Sequence, residues 1–304
     1  MKVLVLGGTG FFGKRLVQRL IDAGDEVTVA TRGQAADPFG DSVERIKADR
    51  QKREDLEHLA EGRAWDVIYD NIGFASQDAL DAAEVFAGKT KHYVLTSSLS
   101  VYEFGSAERS EEEVDTLHYP VTIGTYKEFD YSEGKRQAEA VLLQQASFPV
   151  SAVRFPFVIG IDDYTERLLF HIRNAMEGKA IQAIDPDAQI SFISSEEAAE
   201  FLFWLGRHDS LGAVNACAAG TVSLRELMKL IEVRTGKSAV IETVTEEAAG
   251  QANNLSPYAV SASFGMTTRK AAEAGFHFSD LKEWLPGLIT QLASSISNHL
   301  KTTS

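Results

Sequence analysis

A single cysteine, Cys217, serves the whole 304-residue chain. No intrachain disulfide can form and a cysteine-built zinc site is excluded, a pattern that fits a reducing compartment; the expected location is cytoplasmic. Long apolar runs are missing too. The opening MKVLVLGG stops being apolar at Gly7, so it reads as a strand entering a turn rather than as a signal peptide. No stretch approaches the roughly 20 apolar residues that span a bilayer, and no membrane partner is expected. Positive charge is in deficit: 30 Lys and Arg stand against 44 Asp and Glu, a formal net charge of −14. That balance argues against general nucleic-acid binding, because a phosphate backbone is repelled overall. The seven histidines are scattered without ligand spacing, so no metal site is expected. What remains, 44% apolar and 24% charged residues, is the composition of an ordinary globular protein, long enough for one large domain or two modest ones.

What is present first is alternation. Strand patterns lie at 2–7, 26–31, 43–49, 66–71, 91–98 and 150–155. Between the first two, GKRLVQRLIDAG places Leu16, Val17, Leu20 and Ile21 on one helical face and stops at Gly24; SQDALDAAEVFAGK is a second helical pattern, between the fourth and fifth strands. Near-continuous apolar strands alternating with helices predict an α/β fold of Rossmann type, a doubly wound parallel sheet covered on both faces. After residue 155 helical patterns dominate, at TERLLFHIRNAMEG, SSEEAAEFLFWLGR, SLRELMKLIEVRTG and from SDLKEWLPGLI to the end, with one short strand at AVNACA. The expected division is a dinucleotide-binding domain over 1–158 with a returning segment at about 189–207, and a smaller, mostly helical substrate-binding lobe from 159–188 and 208–304. Phe201, Phe203, Trp204 and Leu205 read as core. The acidic stretch SAERSEEEVD, within 103–125, reads as a solvated surface loop, with a lid over the cleft as the alternative.

The sharpest motif is GGTGFFG, which ends the first strand and opens the first helix. Gly7, Gly10 and Gly13 suit a tight turn, close approach of backbone to a pyrophosphate, and packing of helix on strand, while the N–H groups at the helix start favour an anion. Thr9, Phe11 and Phe12 lie in the same cofactor-binding turn. Gly8 to Lys14 also fits the opening of a P-loop, but Arg15 stands where that loop needs a hydroxyl for magnesium, which removes the nucleotide-hydrolase reading. The second strand ends in Thr31, Arg32 and Gly33, without the acid that an NAD-preferring site offers to the ribose. A guanidinium there suits the 2′-phosphate of NADP, so NADP is expected, with NAD as the alternative. Asp49 and Arg50 follow the third strand and are expected to flank the adenine; Asn71, Ile72 and Gly73 follow the fourth, where backbone passes close to the cofactor.

Together GGTGFFG, TSSLSVY (96–102), YSEGK (131–135) and RFPFVIG (154–160), spread over the chain in that order, resemble the short-chain dehydrogenase/reductase superfamily in its extended, epimerase/dehydratase-like branch. The resemblance implies a catalytic set of Ser98, Tyr131 and Lys135, with Thr96, Tyr131 and Lys135 also reaching the cofactor. A phenol titrates near pH 10, too high for a good base at neutrality, and an ammonium one helical turn away favours its ionised form. Tyr131 would then move a proton while Ser98, with Ser97 as its nearest competitor, orients the reacting oxygen. Related dehydratases carry acids beside the serine position; Leu99 and Ser100 stand here, which disfavours elimination. No role beyond an ion pair is assigned to Arg154. The expectation is NAD(P)-dependent oxidoreduction or epimerisation at a carbonyl/alcohol centre of a small molecule, with a nucleotide sugar as a candidate and a homodimer as an option. The alternative is a non-catalytic NAD(P)-binding regulator or RNA-binding protein, since redox-sensing regulators and chloroplast stem-loop-binding proteins resemble this branch too.

Overall fold

The computed structural model describes residues 1–34, 36–238 and 240–302, the last six of these through their backbone alone. β1 (Lys2–Leu6), β2 (Glu26–Thr31), β3 (Glu44–Lys47), β4 (Trp65–Asp70) and β5 (Thr90–Ser98) alternate with α1 (Phe11–Asp22), α2 (Arg53–Ala60) and α3 (Ser76–Val85). Then follow β6 (Ser106–Arg109), α4 (Tyr131–Gln145), β7 (Val150–Phe155), β8 (Phe157–Ile159), α5 (Arg167–Glu177), β9 (Ala180–Ala183), β10 (Gln189–Ile190), β11 (Phe192–Ser194) and α6 (Ser195–Leu205). β12 (Gly212–Asn215), β13 (Val222–Ser223), α7 (Leu224–Thr235), β14 (Val240–Thr243), α8 (Glu246–Ala249), β15 (Phe264–Met266), α9 (Arg269–Glu273) and α10 (Leu281–Thr302) complete the described strands and α-helices.

Seven strands form one parallel sheet in the order β3-β2-β1-β4-β5-β7-β12. Its strands are apolar on both sides because both faces are covered. In β1, Val3 and Val5 join Leu16, Leu20, Phe201 and Leu205 beneath α1 and α6. Leu4 and Leu6 join Leu56, Leu59, Tyr93 and Leu142 beneath α2, α3 and α4. This is the doubly wound fold expected from the alternation, and Phe201 and Leu205 are core, fully buried. A third cluster, including Ile172, Ile181, Leu227, Ile231, Tyr258 and Leu285, is the core of the lobe.

Three expectations change. The lobe boundary at 208 falls too early, because β12 pairs in parallel with β7 as the last strand of the main sheet, and Phe276 packs on Phe201 in the nucleotide-domain core. The lobe also carries short strands that the helical patterns hid: β13, β10, β15 and β6 form one sheet, and β14 pairs with β9. Strands of two to four residues are too short for alternation to register. The acidic segment is neither a free loop nor a lid. β6 is an edge of the lobe sheet, Glu111 is buried and accepts the Asn215 N–H at 2.8 Å, and residues 116–124 are held on α3 and α4. Gln144 donates to the carbonyls of Thr116 and Tyr119, Gln137 to that of Pro120, and Ser76 to that of Thr122.

One buried ion pair ties these parts together. Arg154 and Glu139, both with 0% side-chain exposure, meet at 2.7 Å. Arg154 also donates to the Tyr102 hydroxyl at 2.7 Å and the Glu111 carbonyl at 3.2 Å, and Tyr102 donates to Asn215 at 2.8 Å. Glu139→Gln leaves that guanidinium without its counter-charge, so the variant is expected to lose about 3–5 kcal/mol of stability in urea unfolding. The glycine turn gives a second, opposed pair of outcomes. A Cβ on Gly13 would stand 2.6 Å from the Gly7 carbonyl oxygen, whereas one on Gly10 meets nothing within 4 Å. Gly10→Val is expected to fold with a loss of about 1 kcal/mol, from the poorer helix cap. Gly13→Val is expected to lose several times more, read as a shift in the same unfolding midpoint.

Candidate active site

The glycine turn is built by its own backbone demands. Gly7 has φ +81°, a left-handed conformation that side chains disfavour, and a Cβ there would lie 2.6 Å from Ile72. Gly13 lets α1 sit against the Gly7 carbonyl. Gly10 caps α1 in extended conformation, and the space its side chain would fill is open. Phe11 also holds a positive φ of +47°, a strained position for a bulky residue that the surroundings must enforce. Its ring meets Phe12 and, edge-on, Tyr164, with centroids 5.8 and 6.2 Å apart.

Beside this turn, at the carboxyl end of β4, sits a buried charge cluster. Asp70 accepts from Arg50 Nε at 2.8 Å and the Tyr93 hydroxyl at 2.7 Å, and its other oxygen accepts the N–H groups of Ile72 (3.2 Å) and Gly73 (2.8 Å). Burial works to raise the Asp70 carboxyl, but the Arg50 charge and these hydrogen bonds outweigh it and hold the group below the usual carboxylate range. The turn 71–73 is thereby shaped from below, and the Gly73 carbonyl receives Lys135 Nζ at 2.7 Å. Lys135 donates a second bond to the Thr96 carbonyl at 2.8 Å. Burial pulls its ammonium down to about 8, against Asp70 and Glu139, which push it up. An ammonium has three donors, so two fix the side chain and one remains.

Tyr131 opens α4, one turn ahead of Lys135, with Asp130 capping the helix through the Glu133 N–H. Its ring is half exposed, leans on Phe74 at 5.5 Å, and lies 6.0 Å from Lys135 Nζ. At the end of β5, Ser97 turns inward and donates to the buried Glu139. Among the described residues the Ser98 hydroxyl bonds only to Ser100, accepting its N–H and donating to its hydroxyl, both at 3.1 Å. Both serines line the same cavity, but strand alternation separates their hydroxyls: that of Ser97 is committed to Glu139 and that of Ser98 is not.

Two cavities meet at the glycine turn. The first, about 330 Å³, is lined by Gly7, Thr9, Thr31, Arg32, Asp49, Arg50 and Ile72. The second, about 230 Å³, gathers Phe11, Phe12, Asn71, Thr96, Ser98, Tyr131 and Lys135. Thr96 donates to Asn71 at 2.9 Å, linking β5 to the end of β4. Arg50 borders the first cavity, with its guanidinium bound to Asp70 and to the Asp78 carbonyl, both at 2.8 Å, and its Nη1 buried without a partner among the described residues. Arg32 is exposed at the cavity edge and has no ion-pair partner among the described residues. The sequence reading missed the far wall of the second cavity, Asp163, Tyr164 and Thr165 in the loop after β8 and Arg167 at the start of α5. The cluster of charges in GIDDYTER just past a strand end was its signal.

Comparison with known proteins bears on the family and the fold. The model of the NAD dependent epimerase/dehydratase family matches residues 3–217. A curated relative, the chloroplast stem-loop binding protein of 41 kDa b from Arabidopsis thaliana, is 26% identical over 225 residues, 67% of this chain and 55% of that protein. The chain thus spans little more than half the length of that relative. Among solved structures, a UDP-glucuronic acid 4-epimerase from Bacillus cereus, in complex with UDP-glucuronic acid and NAD, superimposes with a TM-score of 0.74 at 16% identity, covering 97% of this chain and 100% of that one. A dTDP-glucose 4,6-dehydratase from Bacillus anthracis, in complex with NAD, gives 0.73 at 17% identity, covering 97% of each chain. The structures share the fold; the family model, matching well over half the residues, shows that this chain belongs to the NAD-dependent epimerase/dehydratase family.

Proposed function

We propose that the chain is an NAD(P)-dependent enzyme acting at a carbonyl/alcohol centre of a small molecule, as an epimerase or a reductase, with Tyr131 as general acid/base. The observation that carries this is the second cavity, where Ser98, Tyr131 and Lys135 come together from β5 and α4 beside the glycine turn. A dinucleotide fits the residues present. The open space at Gly10 admits a pyrophosphate against the N–H groups of the α1 start, and the first cavity takes the adenosine half. When bound, the nicotinamide supplies the hydride acceptor and donor. Lys135, fixed by two carbonyls, offers its third N–H to the ribose hydroxyls. Ser98 holds the substrate oxygen, and Tyr131 gives or takes the proton on it. The stem-loop-binding name of the Arabidopsis relative supports a second reading, a binding protein on the same fold. The assembled Ser98, Tyr131 and Lys135 and the net charge of −14 favour the catalytic one.

NADP is proposed over NAD on Arg32, which has no ion-pair partner among the described residues and stands where the adenosine ribose would lie. Arg32→Ala is expected to weaken NADPH by roughly ten- to a hundredfold, the worth of one charge-assisted contact, and to leave NADH nearly unchanged in calorimetry. Equal losses for both cofactors would show that the arginine does not read the phosphate. Gly10→Val, folded, is expected to bind neither cofactor.

Lys135 sets a pH dependence with a definite sign. Its ammonium is present below about pH 8 and lost above it, so cofactor affinity is expected to fall as pH rises through that value, and Lys135→Met to show no such fall. Tyr131→Phe keeps the ring on Phe74 and removes the transferable proton. Turnover is expected to drop by about 10²–10⁴-fold with cofactor binding intact. A rate within threefold of wild type would favour the binding-protein reading.

A further inference from the structure

Four consecutive backbone N–H groups just past β4 are held by two buried carboxylates. Asp70 accepts those of Ile72 and Gly73, at 3.2 and 2.8 Å, and Asp78 accepts those of Phe74 and Ala75, at 3.0 and 3.3 Å. Arg50 joins the two anchors, with its Nε on the Asp70 carboxylate and its Nη2 on the Asp78 carbonyl, both at 2.8 Å. Bonds to an ionised acceptor are strong, and a buried carboxylate that gave them up would stay unpaired. The turn 72–75 is therefore gripped along its whole length.

Both members of the Tyr131–Lys135 pair rest on this turn. The Gly73 carbonyl accepts Lys135 Nζ at 2.7 Å. The next residue, Phe74, lays its ring against α4, with its centroid 5.5 Å from that of Tyr131 and the ring planes at 51°. A Cβ on Gly134 would stand 2.7 Å from the edge of the Phe74 ring, closer than van der Waals contact allows. Tyr131 and Gly134 are three positions apart on α4 and share a face, so the side chain missing at Gly134 is the space that Phe74 fills. Tyr131 is half exposed, and Phe74 is its aromatic neighbour among the described residues. A phenol half in water takes its orientation from such packing. Orientation matters, because a misplacement of about 1 Å can cost about 10²-fold in rate.

We propose that Phe74 is the positioning residue for Tyr131, that the bare backbone of Gly134 is the slot receiving its ring, and that Asp78 holds Phe74 in place. One turn then sets phenol and ammonium together: its carbonyl at 73 fixes the lysine and its ring at 74 fixes the tyrosine. The consequence for catalysis rests on the reading of Tyr131 as general acid/base given above. The contact itself is testable without substrate or cofactor.

The test uses the full chain carrying isotope-labelled tyrosine, followed by proton–carbon correlation spectra. Tyr131→Phe identifies the Tyr131 ring signals among those of the eight tyrosines. A neighbouring ring displaces such signals by its ring current, so those of Tyr131 are expected away from their position in the urea-unfolded chain. Phe74→Leu, which removes the ring, and Gly134→Ala, which pushes it aside, are each expected to return them toward that position. Calorimetry with NADPH supplies the second readout. Phe74→Leu is expected to keep NADPH affinity within about twofold, whereas Asp78→Ala, which frees the whole turn, moves the Tyr131 signals and weakens NADPH by about tenfold. Both N–H groups reach the same Asp78 oxygen, so Asp78→Asn, which keeps an acceptor there, is expected to restore both readouts. Phe74→Leu decides the matter if Asp78→Ala does not fold. The proposal is overturned by Tyr131 signals at the unfolded position in the wild type, by signals that Phe74→Leu leaves in place, or by an Asp78→Ala chain that folds with both readouts unchanged. A wild-type chain that binds neither NADPH nor NADH would sink the cofactor reading instead, and the first titration detects that separately from the spectra.

Discussion

The Asp70 carboxylate is the point on which the site depends. Its negative charge is removed from water entirely, a position that is tolerable only because Arg50 and Tyr93 supply opposite charge and a donor at hydrogen-bond distance. With one oxygen so engaged, the other is free to gather the N–H groups of Ile72 and Gly73. That turn presents the Gly73 carbonyl to Lys135, and the lysine in turn stands under Tyr131. A chain of buried polar contacts thus runs from the second helical layer, through the end of the central strand, to the phenol facing solvent. In low dielectric such contacts hold geometry tightly, which the proton transfer proposed for Tyr131 would require.

The glycine turn is the complementary device, working by the absence of atoms. Gly13 removes the atom that would push α1 off β1, and Gly10 removes the atom that would occupy the open side. The strained Phe11 backbone lies between them. Arg15, reaching Asp162 and Glu196, ties this helix to the loop after β8 and to α6. The far wall of the second cavity is therefore anchored on the same helix that would carry the pyrophosphate, and the two halves of the cleft are held together by charge as well as by packing.

The acidic segment after β5 shows how a charged stretch can be structural. Its composition suggests solvation, yet Glu111 is buried against the Asn215 N–H, and the following residues bond to side chains on α3 and α4. Each donor or acceptor that leaves water finds a partner, so burial costs little. Composition reports the charge of a residue and is silent about such partners.

The sequence by itself determined the layered α/β fold, the strand–turn–helix at Gly7 to Gly13, and the spacing of Tyr131 and Lys135. These follow from local periodicity and backbone sterics, which act between residues close in the chain. It also narrowed the serine to Ser98 or Ser97. Tertiary structure decided the rest. Ser97 is taken by Glu139 and Arg50 by Asp70, β12 joins the main sheet, and Asp163 and Arg167 close the cleft. Each of these is a pairing between segments far apart in sequence. Side-chain charge says that a partner is needed, and only the packed chain says which one is within reach.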